Sequence, residues 1–355
     1  MTKKIVEKFN ELRHKDKIVI LGIETSCDET ATAVVENGRI LHSNVILSQI
    51  PLHQKFGGVV PEVASRNHIL AINGVIDKAL KQAQMQAKDL DAIAVTYGAG
   101  LIGALLVGVS TAKAIGYALK IPLIKVNHIE AHVCANFIAH KDLTPPFLCV
   151  AASGGHTSLI AVDEHNTYNS LGGTVDDAIG EAFDKVARLL GLPYPGGPEI
   201  DKLAKKGAAN IDFYKTPKSI NKDLRLSYSG LKTAVVNYVN SAKMAGREIV
   251  IEDICASFTK QAVDLLVDTT MFAAKERGDK VIALAGGVAA NTYLRNRLQE
   301  ETQKAEMDFF VPSLDLCTDN AAMVASRAYF SILAGTDLAG LDLNAKSNVK
   351  VGEGR

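Results

Sequence analysis

The 355-residue chain contains no tryptophan, and aromatic residues make up only 6% of it. That scarcity argues against a surface built mainly of base-stacking rings. Cysteine is sparse too: Cys27, Cys134, Cys149, Cys255 and Cys317 form no CxxC pair and are odd in number. Neither a disulfide framework nor a cysteine-rich zinc site follows, and the reducing cytoplasm is the predicted compartment. Net charge is absent, since 39 lysines and arginines balance 39 aspartates and glutamates. No global field draws the molecule to nucleic acid or an anionic membrane, so a polyanionic partner must be met by a local patch. The start lacks the apolar core of a signal peptide, and Glu7, Glu11 and Asp16 are out of place in a mitochondrial presequence. Ile5, Val6, Phe9 and Leu12 at helical spacing instead predict a charged helical extension over residues 1–17. One uncharged run, 92–112, is long enough to span a bilayer. Gly98, Gly100, Gly103 and Gly108 interrupt it and its first residues, AIAVT, read as a strand. A buried strand, loop and helix is expected there, with no membrane partner.

What is present is apolar material for two cores: 47% hydrophobic and 22% charged residues in a chain longer than one ordinary domain. KIVILGIETSCDETATAVVENGRI reads as an apolar strand, a small polar turn and a second strand ending at Asn37-Gly38. PFLCVAASGGHTSLIAVDEHN repeats that plan from Pro146. Elsewhere strands alternate with helical patterns: AIAVT before a helix through Thr111 to Leu119, and VIALAGG before one from about Asn291 to Ala305. The expectation is an α/β protein with a duplicated core and a mostly parallel sheet in each lobe. The pattern resembles the two-lobed actin-like ATPase, sugar kinase and Hsp70 (ASKHA) architecture. Ser153-Gly154-Gly155 between two strands offers unobstructed backbone N–H groups to anionic oxygens.

NHIEAHV places His128 and His132 four residues apart, so on a helix both imidazoles leave one face and can share an ion. Glu130 points away, and no glutamate follows His128 as in the HExxH zinc-protease motif. Asp319 in CTDNAAM is a candidate third ligand at a helix start. Imidazole and carboxylate ligation suits zinc or ferrous iron alike. Two histidines on an ordinary helix, bound to nothing, are the competing reading.

At these residues a specific resemblance emerges. IETSCDET (23–30), GGVVPEVASRNH (57–68), the stretch from Lys113 to His132, SGGHT (153–157), DDAIGEAFDK (176–185), YPGGPEID (194–201), SYSGLKTA (227–234), GGVAAN (286–291) and CTDNAAM (317–323) stand in order. Together they resemble the bacterial TsaD family over about residues 18–335. The resemblance implies transfer of a threonylcarbamoyl group from L-threonylcarbamoyladenylate to N6 of adenosine 37 in the anticodon loop of tRNAs reading codons that begin with A, releasing AMP. It implies a lobe I of 18–145, a lobe II of 146–311, a return to lobe I over 312–336, a tail of 337–355, and a metal in the cleft between lobes. One divalent ion per chain, ferrous iron first and zinc second, is expected on His128, His132 and Asp319. Ala151, Ala152, Ser153, Gly154 and Gly155 are expected against the donor's anionic part, Asp184 and Asp201 on its hydroxyls, and Gly197 and Asn291 about its adenylate. A TsaB-like paralogue and a TsaE-like ATPase are the implied partners.

Two departures from the family pattern are mild: Ala151-Ala152 before SGGHT, and Tyr228 where phenylalanine is usual. Each donor-binding residue also has an ordinary reading, Asn291 as a helix cap and Gly196-Gly197 as a turn. From Lys202 to Lys232 eight lysines and arginines face two aspartates, which suits either phosphate contact or a solvated helical face. The alternatives are an Hsp70-like ATP-regulated binding module, which needs no convergence of His128, His132 and Asp319, and a metalloendopeptidase, which lacks its glutamate.

Overall fold

A computed structural model describes residues 3–214 and 223–353. They divide into two compact units: unit 1 holds Met1–Pro145, Val162–Asn169 and Thr318–Arg355, and unit 2 holds Pro146–Ala161 and Ser170–Cys317.

Unit 1 opens with α1 (Lys3–Leu12), whose Phe9 and Leu12 are buried while Val6 stays exposed. Then come β1 (Val19–Glu24), β2 (Glu29–Glu36) and β3 (Ile40–Ser48) as an antiparallel meander. Asn37 and Gly38 both take positive φ, as the tight turn between β2 and β3 requires. After a short α2 (Ile50–His53), the long α3 (Pro61–Gln82) leads to β4 (Ala92–Gly98), α4 (Ile102–Leu119), β5 (Leu123–Asn127) and α5 (His128–Ala139). β4 pairs in parallel with β1 and β5, giving the alternation of strand and helix that the sequence predicts. Every residue of β4 is buried. α4 is long and apolar enough to cross a membrane by length and composition alone. Here Ala104, Leu105, Gly108, Val109, Ala112 and Gly116 are buried, and the helix packs on α3 and β4.

Unit 2 repeats the plan with β6 (Phe147–Ala152), β7 (Thr157–Glu164), β8 (Thr167–Thr174), α6 (Ile179–Leu189), α7 (Gly196–Ala204), β9 (Arg225–Leu226), α8 (Ser229–Met244), α9 (Ile251–Arg277), β10 (Val281–Ala285), α10 (Thr292–Lys304), β11 (Asp308–Phe310) and α11 (Leu314–Cys317). The chain re-enters unit 1 through α12 (Ala321–Ala334) and the edge strand β12 (Leu338–Ala339). The strand orders are β12-β5-β4-β1-β2-β3 and β11-β10-β6-β7-β8-β9. Each sheet thus contains a meander flanked on its first strand by two later parallel strands, which is the expected duplication.

Candidate metal centre and donor-site residues

β1 reads VILGIE and is buried throughout, so it ends by carrying the carboxylate of Glu24 into the interior. At Gly22 a Cβ would stand 2.2 Å from the carbonyl oxygen of Ala321. Only a glycine lets the start of α12 lie this close to β1, which brings Asp319 alongside the strand's end. Asn320 caps α12 by accepting from the Met323 N–H at 3.0 Å. Asn127 caps α5 by accepting from the N–H groups of Ile129 and Glu130, and His128 is the first helical residue. His128 and His132 follow at i and i+4, both buried, with ring centroids 4.7 Å apart.

One ligand atom from each of His128, His132 and Asp319 lies within 4.8 Å of the others. Nε2 of His132 is 3.1 Å and Nε2 of His128 3.6 Å from Asp319 Oδ1. Neither nitrogen of the buried His132 ring has a hydrogen-bond partner among the described residues. The short approach of Nε2 to Asp319 therefore lacks hydrogen-bond alignment, as expected where a cation belongs between them. Behind His128, Nδ1 contacts Glu24 Oε2 at 3.0 Å and Ser26 Oγ at 3.2 Å. Glu24 in turn accepts from the Ser26 N–H and the Thr96 hydroxyl. A carboxylate on Nδ1 leaves Nε2 as the ligating nitrogen, the usual support for a metal-bound histidine. Burial by itself depresses the His128 imidazole, but Glu24 and then Asp319 outweigh it and raise the group to about 9. Burial pushes Glu29 up to about 9 as well, with Asp319 and Asp28 adding to it. This crowd of carboxylates around two imidazoles has the chemistry of a divalent-cation site.

Glu24 has no role in the sequence-based set. Its signal was present, an ionisable residue closing an otherwise apolar strand. Glu130 faces away from the ligands as the helical geometry predicts, and its Oε2 takes both Nε and Nη2 of the buried Arg327 at 2.9 and 2.8 Å. It is thus committed elsewhere and is no protease base. Asp28, in the turn between β1 and β2, is buried as well.

The expected donor-binding residues all belong to unit 2, where protein contacts link them. Gly286, at φ +89, would place a Cβ 2.4 Å from the Ala152 carbonyl oxygen, so the turn after β10 closes on the end of β6. Ala151 and Ala152 are buried, whereas a Cβ at Gly154, Gly155 or Gly197 would meet nothing within 4 Å. Asp184 Oδ1 accepts from the Gly196 N–H at 2.7 Å, tying α6 to the start of α7. Asp201 accepts from the N–H and the hydroxyl of Thr292, both at 3.0 Å, and pairs with Lys205 at 2.8 Å. Asn291 caps α10 through the Leu294 N–H. Asp184 therefore holds the glycine turn at Gly196 and Asp201 the start of α10, roles that pattern reading did not assign to them. In the basic stretch Lys205 and Lys232 are paired with Asp201 and Asp177, and Lys215, Lys218 and Lys222 lie outside the described residues.

Comparison with known proteins fits this geometry. The chain is 55% identical over 340 residues to a Clostridium perfringens protein named tRNA N6-adenosine threonylcarbamoyltransferase, covering 95% of this chain and 99% of that one. Among solved structures it resembles T. kodakarensis HypF with TM-score 0.61 and 16% identity, over 89% of this chain and 47% of HypF. It also resembles component A of the (R)-2-hydroxyglutaryl-CoA dehydratase of Acidaminococcus fermentans, with TM-score 0.54 and 16% identity over 89% and 99% of the two chains. These likenesses place the fold in the actin-like ATPase type. A family model described as TsaD, tRNA N6-adenosine threonylcarbamoyltransferase, matches residues 40–326, and with it the chain belongs to the TsaD family.

Proposed function

We propose that this chain transfers the threonylcarbamoyl group of L-threonylcarbamoyladenylate to N6 of adenosine 37 in tRNAs reading codons that begin with A. The N6–C bond forms, the C–O bond of the mixed anhydride breaks, AMP leaves with the electron pair, and one proton is lost from N6. The observation that carries this reading is the grouping of His128, His132 and Asp319, backed by Glu24, in a chain so similar to named transferases.

His128, His132 and Asp319 would hold one divalent ion, ferrous iron first and zinc second. Such an ion supplies Lewis acidity toward the donor's carbonyl and carboxylate oxygens. Glu24 keeps the His128 ring oriented and its Nδ1 protonated. In unit 2 the open backbone at Gly154 and Gly155 suits the donor's anionic part, whereas the Ser153 N–H already donates to the His156 carbonyl at 2.8 Å, and Gly197 and Asn291 suit the adenylate. Asp184 and Asp201 shape the neighbouring turns and would meet the donor's hydroxyls. Because AMP is a good leaving group, positioning and fixed dipoles supply much of the acceleration.

A TsaB-like paralogue and a TsaE-like ATPase complete the assembly, in the cytoplasm where its tRNA is found. Support for a protein partner comes from α3 and α4, which expose Ile69, Leu70, Ile102 and Leu106, Leu70 by 83%.

The test supplies the protein and both partners with labelled threonylcarbamoyladenylate and an unmodified tRNA transcript. Label is expected at A37, and none in a transcript with guanosine there. His132→Ala should lose both metal and transfer while melting as the metal-free wild-type protein does. Absence of label with wild-type protein and both partners would refute the assignment.

A further inference from the structure

The last described residues are built into the start of the helix that carries His128 and His132. Beyond β12, the Lys346 N–H donates to the Tyr97 carbonyl at 2.8 Å and the Gly100 N–H to the Ser347 carbonyl at 3.0 Å. Ala345 and Val349 are buried in the core of unit 1. From this anchorage the segment reaches α5 at two points. Asn127 accepts with Oδ1 from the first N–H groups of α5 and donates with Nδ2 to the Lys350 carbonyl at 3.0 Å. Gly352, at φ +78, donates its N–H to Glu130 Oε1 at 2.9 Å. A Cβ there would stand 2.8 Å from the Tyr168 carbonyl oxygen, so the position admits little but glycine. Glu130 is thereby held on one oxygen by the chain end and on the other by Arg327.

Asn127 immediately precedes His128, and Glu130 lies between the two histidines. The segment lies beyond residue 326, where the family model stops matching. We propose that residues 345–353 are a positioning strap: by clamping Asn127 and Glu130 they fix the rotation of the first turn of α5, and with it the separation of the His128 and His132 nitrogens. Glycine at 352 and the two-way amide of Asn127 are the parts that a tail serving only to fill space would not need.

This inference rests on the metal-centre reading, and its test separates the two. Two variants of the full protein are compared with wild type. Asn127→Asp keeps the capping oxygen but turns a carboxylate toward the Lys350 carbonyl, and truncation after Lys350 removes the Gly352 N–H while leaving Val349 in the core. Co2+ affinity is measured by competition with a chromophoric chelator, alongside the visible Co2+ spectrum and metal-free melting. Outer-shell partners of this kind typically contribute 10–100-fold in affinity, so each variant should bind at least about tenfold more weakly, with an altered spectrum and cooperative metal-free melting intact. Wild-type affinity and spectrum in either variant would overturn the strap, as would an affinity loss accompanied by loss of cooperative metal-free melting. Failure of the wild-type protein itself to bind Co2+ would overturn the metal centre and the strap with it.

Discussion

Metal loading should compete with a proton on His128. With Glu24 and Asp319 raising that imidazole to about 9 against the opposing effect of burial, the metal-free protein at pH 7 carries His128 mainly protonated. A metal needs the neutral ring, so each binding event displaces a proton, and apparent affinity should rise about tenfold per pH unit until the curve flattens near pH 9. The stability of the metal-free protein runs the other way. A group raised above its unfolded value contributes fully below pH 6.5, and that contribution is lost as pH climbs through about 9. The gap in melting temperature between metal-loaded and metal-free protein should therefore widen over that interval. Glu24→Gln separates the two duties of the carboxylate. Without its charge the imidazole falls back toward the ordinary range, so the rise in affinity should end nearer pH 7, while lost ring orientation lowers the plateau by about 10–100-fold. Competitive titration with Zn2+ between pH 6 and 9.5, paired with calorimetry, reads both effects. An affinity flat between pH 6.5 and 8.5 in wild-type protein would refute the coupling of Glu24, His128 and metal.

Three further outcomes follow from particular side chains. Tyr228 is fully buried with no partner for its hydroxyl among the described residues, a defect that costs about 1–3 kcal/mol, so Tyr228→Phe should raise the melting temperature by a few degrees; calorimetry checks it, and no gain would mean that the hydroxyl is satisfied. Replacing Lys205, Lys206 and Lys218 by Gln should weaken all tRNAs alike and flatten the salt dependence of binding, measured by filter retention across salt concentrations. Because Lys205 already pairs with Asp201, most of the effect should come from the other two. Asn291→Asp should keep the cap on α10 and its melting temperature, yet weaken binding of AMP through charge repulsion, as calorimetric titration would read.

The sequence made the repeated meander, the strand–helix alternation and the paired histidines legible, because each is a local pattern of period two, four or a glycine turn. Asp319 was reachable only as a candidate, since nothing local says that Gly22 admits α12 against β1. Glu24 stood out as a charge closing an apolar strand, but its duty was not legible for the same reason: its partner His128 is 104 residues away. The carboxylates of Asp184 and Asp201 read only as donor contacts because the backbone N–H groups that they satisfy, on Gly196 and Thr292, lie 12 and 91 residues away.

The interleaving of the units also sets an order of manufacture. His128 and His132 leave the ribosome early, but Asp319 follows only after all of unit 2, and the Gly352 N–H that meets Glu130 comes 222 residues after it. A nascent chain arrested within unit 2 can fold a helix with two imidazoles and has no third ligand to offer. On the proposed ligand set, metal acquisition is a late event in biosynthesis, and products of premature termination should emerge metal-free even when most of their length has folded.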